Sequence, residues 1–248
     1  MNTNSPQNIE DNYVKWKGWV ENQSFGKCDD VTAAYYRAEL IASRAKLSKN
    51  SSVLEIGFGN GEFAAFCRAA GFDYTGTEIN ELLIDAGREA GFSVLTARDA
   101  LTDLAKAQRR FDLVTAFDVF EHLEVDHLLA TLLEISSILK PDGMLISRVP
   151  SGDSPFARAI QHGDLTHRSS LGTSALTQLA LETGYTLTQA REPVFIYSGL
   201  RLGSWLRRCG VQLVRRLTFP IMQAAYFSGG DVVLTQNLIA VFVLRSHA

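Results

Sequence analysis

The chain has 248 residues, 46% hydrophobic and 21% charged, enough for one large α/β domain with additions or for two small ones. Its formal net charge of -3 gives no basic field for a nucleic-acid partner, and no uncharged apolar run is long enough to span a bilayer. Cys28, Cys67 and Cys209 are too scattered for a disulfide framework or a metal site, which points to a reducing cytoplasm.

Residues 1–12 are rich in Asn, Ser and Gln and lack the apolar stretch of a secretory signal, so they read as a disordered tail. An aromatic-rich segment follows with Trp16, Trp19, Phe25, Tyr35 and Tyr36, and residues 33–46 read as a helix. From Ser52 onward short strands and helices alternate. Strands are expected at 53–56, 74–77, 93–96, 111–117 and 144–149, the last after a turn at Pro141-Asp142-Gly143. Helices are expected at 62–70, 81–90, 101–108, 125–139 and 174–182, several ended by glycine. Segments 185–190 and 237–244 look like closing strands, and 193–230 is too long for a hairpin loop between them. The alternation implies a mostly parallel sheet with helices on both faces. The organisation expected is a tail and helical cap over residues 1–46 and one domain over 47–248, with a helical insertion at 193–236.

Glycine recurs at every second position in "VLEIGFGNGEF", at Gly57, Gly59 and Gly61, directly after the first strand. Such a loop lets a ligand approach the backbone at the carboxyl end of a strand. A dinucleotide-phosphate fingerprint would set its last glycine one residue later, which argues against a pyrophosphate on the following helix. Glu78 follows the second strand about 20 residues on, where an acid can take both hydroxyls of a ribose. With Glu55 inside the first strand, the combination favours an adenosine-containing ligand.

Five stretches, "VLEIGFGNGEF", "YTGTEIN", "ARDAL", "FDLVTAFDVFEHL" and "LKPDGMLISRVP", resemble the successive motifs of class I S-adenosylmethionine-dependent methyltransferases over residues 52–149. The resemblance implies a Rossmann-like seven-stranded fold and S-adenosylmethionine as cofactor. It also implies that Glu55 and the loop of Gly57, Phe58, Gly59 and Gly61 hold the methionine end. Glu78 would take the ribose, Ile79 would pack beside the adenine, and Asp99 with Ala100 would meet the adenine amino group. Phe117 and Asp118 would flank the sulfonium, and His122 reads as structural.

The acceptor side centres on "QHGDLTHRSS". A neutral imidazole is a suitable base for a sugar or phenol hydroxyl near neutral pH, and His167 is the preferred base, oriented by Asp164 or His162. A metal site from these three residues is the weaker reading, and no metal is assigned. For an anionic acceptor, Arg148, Arg158 and Arg168 offer a clamp.

In "GLRLGSWLRRCGVQLVRRLTFPI" one helical face carries Leu202, Leu206, Leu213 and Leu217, and Arg201, Arg207, Arg208, Arg215 and Arg216 cluster opposite. No acid occurs between Glu192 and Asp231. Such a helix either lies on an anionic membrane through Arg201–Arg216 or packs its leucines on the core with its arginines solvated. Gly203 and Gly210 argue against one long helix. With "YYRAEL" and "GDLTHRSS", this insertion resembles methyltransferases of bacterial surface-polysaccharide biosynthesis. That implies O-methylation of a saccharide or lipid-linked acceptor at the inner membrane face. The alternatives are a small aromatic or quinone-like acceptor, suggested by Trp16, Trp19, Tyr35 and Tyr36, and a cofactor-binding module that docks on a membrane without turnover.

Overall fold

The computed structural model describes residues 12, 14–19, 25–197, 201–227, 230 and 232–245. The expected tail lies outside these residues except for Asn12. Helix α1, Asp30–Ala42, begins where the Asp29 carboxylate accepts the Thr32 N–H at 2.7 Å, an ordinary N-cap. It starts earlier and ends earlier than the helix expected over residues 33–46.

The sheet has seven strands: β1 (Ser52–Ile56), β2 (Asp73–Glu78), β3 (Val94–Thr96), β4 (Phe111–Phe117), β5 (Leu139–Pro150), β6 (Tyr185–Arg191) and β7 (Asn237–Leu244). Their order is β3-β2-β1-β4-β5-β7-β6, parallel as far as β5, with β7 antiparallel to both neighbours. The intervening helices are α2 (Glu62–Ala70), α3 (Glu81–Glu89), α4 (Ala97–Lys106), α5 (Val125–Ile138), α6 (Arg158–Gln161), α7 (Thr173–Glu182) and α8 (Leu202–Tyr226). The order reverses between β1 and β4, so the crevice at their carboxyl ends is the natural ligand position.

Period-two alternation sorts the strand side chains onto two faces. Leu54, Val114 and Leu145 join a core with Leu128, Leu132 and Ile135 of α5. Their chain neighbours Val53, Leu113 and Ile146 face the other way, toward Phe63 and Phe66 of α2 and Tyr36 of α1. The Tyr36 ring stacks on Phe117 with centroids 5.8 Å apart and meets Phe63 edge-on at 5.0 Å. The N-terminal cap thus shares the core of the sheet. The expected turn at Pro141-Asp142-Gly143 is instead a register shift inside β5, which begins at Leu139 and pairs with β4 on both sides of it. Helix α4 begins at Ala97, four residues before the expected start, because the chain leaves β3 directly into helix.

The insertion departs most from expectation. One continuous helix, α8, runs through Gly203, Gly210 and Pro220. No residue of α8 is buried, and Leu206, Leu213 and Leu217 are 56%, 60% and 62% exposed. The leucines therefore do not pack on the core. The side turned to the body is mixed, with Arg208, Gln212, Arg215 and Gln223 beside Cys209, Phe219 and Met222. There the Arg208 guanidinium donates to the Ile196 carbonyl at 2.6 Å and lies 5.6 Å from the Phe195 ring, with Arg215 at 6.0 Å from the same ring. Phe219 stacks on Phe156, and Gln223 donates to the Val232 carbonyl at 2.9 Å.

Glu39 ties α1 to the approach of this insertion. Its buried carboxylate accepts Arg191 Nη2 at 2.8 Å and the Val194 N–H. Glu39→Ala would strand the Val194 N–H and leave the Arg191 guanidinium with neutral acceptors such as Ser43 Oγ but no counter-charge, so chemical denaturation should show a loss of about 3–5 kcal/mol. A change under 1 kcal/mol would show that the pair is effectively solvated.

Candidate active site

Gly57, Gly59 and Gly61 all have positive φ, at 66°, 55° and 75°. A Cβ on Gly57 would lie 2.7 Å from a methyl of Val119, and one on Gly61 3.2 Å from the Gly26 Cα. Side chains are therefore excluded by conformation and by space. The turn is held from below, where Gly57 and Phe58 both donate to the Thr77 carbonyl.

Two carboxylates flank this loop. Glu55 is buried in β1 and accepts the Tyr74 hydroxyl at 2.6 Å. Burial pushes its carboxyl up to about 8, against the Tyr74 hydrogen bond, and the charge of Glu78 adds to the rise. Glu78 ends β2 and braces the loop: Oε2 accepts from Gly59 N at 3.3 Å and Oε1 from Ile79 N at 2.8 Å. Ile79 itself is exposed at the crevice edge. Asp99 is exposed in the first turn of α4, and its neighbour Ala100 is buried beneath it.

At the end of β4, Asp118 has φ 58°, unusual for a residue other than glycine. Its carboxylate accepts two parallel hydrogen bonds from one edge of the Arg148 guanidinium, Nε to Oδ1 at 2.9 Å and Nη2 to Oδ2. Arg148 also donates to the Tyr35 hydroxyl at 3.4 Å and lies 5.5 Å from the Phe117 ring. Burial works to lower its pKa, but the pairing with Asp118 outweighs this and holds it above the usual range. Arg148 is thus committed to Asp118 and Tyr35, which corrects its expected place in an anion clamp. Arg158 and Arg168 are exposed.

The segment after β5 folds back onto the turn after β4. Arg168 N and Ser169 N both donate to the Glu121 carbonyl, at 2.7 and 3.0 Å, and Ser169 Oγ donates to the Leu123 carbonyl. This sets the His167 ring against His122, with centroids 4.8 Å apart. The Gln161 carbonyl, 3.1 Å away, can only accept, so His167 Nδ1 carries the proton and Nε2 the lone pair. Asp164 Oδ2 lies 3.9 Å from that Nε2. Thr166 Oγ1 donates to Asp164 and therefore accepts from His122 Nδ1 at 2.9 Å. His162, expected as a possible orienting residue, is exposed at the end of α6 and takes no side-chain part in this cluster.

Glu121 was not singled out from the sequence. It is buried, its Oε2 has no hydrogen-bond partner among the described residues, and burial followed by the charge of Asp118 pushes its carboxyl up to about 8. The signal was the Glu-His pair in "FEHL", since an acid just after a central strand is placed at the crevice. Ligand atoms of Glu121, His122 and His167 lie within 4.8 Å of one another, a set that could hold a metal ion.

A pocket of about 660 Å³ opens between α1 and α8 and reaches Tyr35, the partner of Arg148. Tyr35, Phe195, Arg207, Arg208, Arg215 and Gln236 line it, with no acid among its lining residues. None of the three arginines pairs with a carboxylate among the described residues.

A family model described as a methyltransferase domain matches residues 32–190. Among solved structures, similarity extends to a SAM-dependent methyltransferase from Archaeoglobus fulgidus, at 18% identity and TM-score 0.58, covering 93% of this chain and 98% of that one. A TehB-like SAM-dependent methyltransferase from Corynebacterium glutamicum matches at 17% identity and TM-score 0.57, covering 97% and 100%. The cyclopropane synthase MmaA2 from Mycobacterium tuberculosis matches at 15% identity and TM-score 0.57, covering 98% and 100%. Comparison with curated proteins returned no match.

Glu55 and Glu121 make stability depend on pH in a stated direction. Their folded pKa values of about 8 exceed the ordinary 4.5, so the folded chain binds more protons than the unfolded one between those limits. Stability should fall as pH rises from about 5 to 8, by up to about 1.4 kcal/mol per pH unit for each carboxyl. Denaturation of the ligand-free protein across this range should show the slope, and Glu121→Gln should reduce it. A flat profile would mean that both carboxyls are ionised in the fold.

Proposed function

The chain belongs to the methyltransferase-domain family, and from that premise we propose that it is an S-adenosylmethionine-dependent O-methyltransferase acting on a saccharide, free, lipid-linked or polymeric, at a hydroxyl or its phosphate. The observation that carries the cofactor reading is the loop of three positive-φ glycines at the carboxyl end of β1, flanked by the buried carboxylates Glu55 and Glu78. Glu55 suits a cationic ammonium, because a buried carboxylate without a side-chain cation is stabilised by an incoming positive charge. Glu78 is proposed for the ribose hydroxyls, Ile79 for the adenine face, and Asp99 with Ala100 for the adenine edge. Phe117 and Asp118 are proposed to flank the reacting end.

When bound, the cofactor supplies a methyl group already activated by the sulfonium. The protein's task is to align an acceptor oxygen and to manage its proton. His167 Nε2 is proposed to take the proton, with Nδ1 anchored on the Gln161 carbonyl and the Asp164 carboxylate stabilising the imidazolium. Hydrogen bonds from Thr166 outweigh burial and hold Asp164 below the usual carboxylate range, so it is charged at neutral pH. The acid-free arginine pocket between α1 and α8 supports an anionic acceptor, with Arg208 and Arg215 in place of Arg148. The resemblance to surface-polysaccharide enzymes supports a saccharide. The aromatic-acceptor alternative draws nothing from Tyr36, whose ring is spent in the core.

Labelled cofactor offered with a panel of sugars, sugar phosphates and lipid-linked sugars tests this reading. Absence of turnover on all of them, with tight cofactor binding, would favour the non-catalytic module. Glu78→Ala should weaken cofactor binding by about 2–4 kcal/mol in calorimetry. His167→Ala should slow single-turnover transfer by about 10²–10⁴-fold at unchanged cofactor affinity. If His167→Ala turns over normally and Arg208→Ala does not, the acceptor oxygen is already ionised and no base is needed.

A further inference from the structure

Helix α8 keeps its leucine row away from the body. Its body-facing side mixes Arg208, Gln212, Arg215 and Gln223 with Cys209, Phe219 and Met222, all only partly exposed, and it is held there by Phe195, Phe156, the Ile196 carbonyl and the Val232 carbonyl. Its outward side carries Leu206, Leu213, Leu217 and Ile221 in one row. At 100° per residue, the exposed Arg207 and Arg216 fall roughly a quarter turn to either side of that row. Contiguous exposed apolar surface of this kind marks an interaction face.

We propose that α8 lies in the headgroup boundary of an anionic membrane, with Leu206, Leu213, Leu217 and Ile221 inserted and Arg207 and Arg216 reaching sideways to lipid phosphates. Arginine stems at the edges of an apolar stripe can keep their charge at the interface while covering hydrocarbon. The charge balance selects this occupant. No acid occurs between Glu192 and Asp231, so the whole segment is cationic. A second copy of the chain would bring arginine against arginine, whereas an anionic leaflet supplies the opposite charge. Among the described residues no helix is long and apolar enough to cross a membrane, so α8 would lie in the interface plane. Arg207, Arg208 and Arg215 line the pocket behind it, and Arg207, roughly a quarter turn from the apolar row, borders both, which puts that pocket beside the lipid surface.

Flotation of the full chain with vesicles tests this without any turnover, so its outcome is independent of the methyl-transfer reading. Vesicles of phosphatidylcholine with phosphatidylglycerol should carry the protein at low salt, vesicles of phosphatidylcholine alone should not, and rising salt should release it. Changing Leu206, Leu213 and Leu217 together to Ser should abolish flotation with an unaltered circular dichroism spectrum and melting temperature, because those side chains are already exposed. Arg207→Gln with Arg216→Gln should weaken binding by roughly fivefold per arginine. No flotation with anionic vesicles at low salt would overturn the proposal. So would a concentration-dependent dimer in sedimentation that the triple variant loses, without vesicle binding, since the occupant would then be a second copy.

Discussion

The left-handed exit of the chain from β1 at Gly57 is the constraint on which the rest of the site depends. Because that residue has no side chain, a methyl of Val119 occupies the space where one would be. The turn after β4 can then lie directly over the turn after β1. Asp118 takes its own left-handed conformation one residue earlier, and Glu121 and His122 follow in a short 3-10 turn. The Glu121 carbonyl in turn anchors the segment that carries His167. A single backbone torsion therefore relays position from the proposed cofactor loop to the proposed acceptor side.

Charge is distributed unevenly around this hinge. Arg148 spends its guanidinium on Asp118 and Tyr35, which ties the ends of β4 and β5 to α1. Among the described residues, Glu55 receives only a tyrosine hydroxyl, and Glu121 keeps one oxygen without a partner. Buried acids left in this condition favour their neutral forms until a positive group arrives. The crevice is thus poised toward cationic ligands at both of its carboxylates, while the arginine pocket beyond α8 favours the opposite charge.

Much of this was legible in the sequence. The alternation of short apolar strands with helices, several ended by glycine, pointed to the parallel sheet, and β7 falls where it was expected. The glycine spacing located the crevice because three glycines in alternate positions directly after a strand, unlike the single glycines that end helices at Gly71 and Gly91, mark a close-approach turn. What escaped were relations that no local pattern encodes. Amphipathic periodicity shows that α8 has two faces, but not which one turns inward. That was settled by Phe195 and Phe156, residues outside the helix that accept its arginines and Phe219. Arg148 looked available because its partners Asp118 and Tyr35 are remote in the chain. Glu121 was overlooked because one acid beside a histidine is unremarkable until its burial is known. Gly203 and Gly210 within α8 were overweighted, since tethering along its body-facing side offsets their low propensity.

The strands on either side of α8 pair directly with each other, Tyr185 opposite Leu244 and Arg191 opposite Ile239. The long excursion therefore starts and ends at the same edge of the sheet. Closing a loop of twice the length costs only about 0.6 kcal/mol more. The hairpin can thus accept excursions of different length or composition without disturbing its pairing. This edge works as a port: a segment spliced between β6 and β7 leaves the strand pairing, and with it the crevice at β1 and β4, in place.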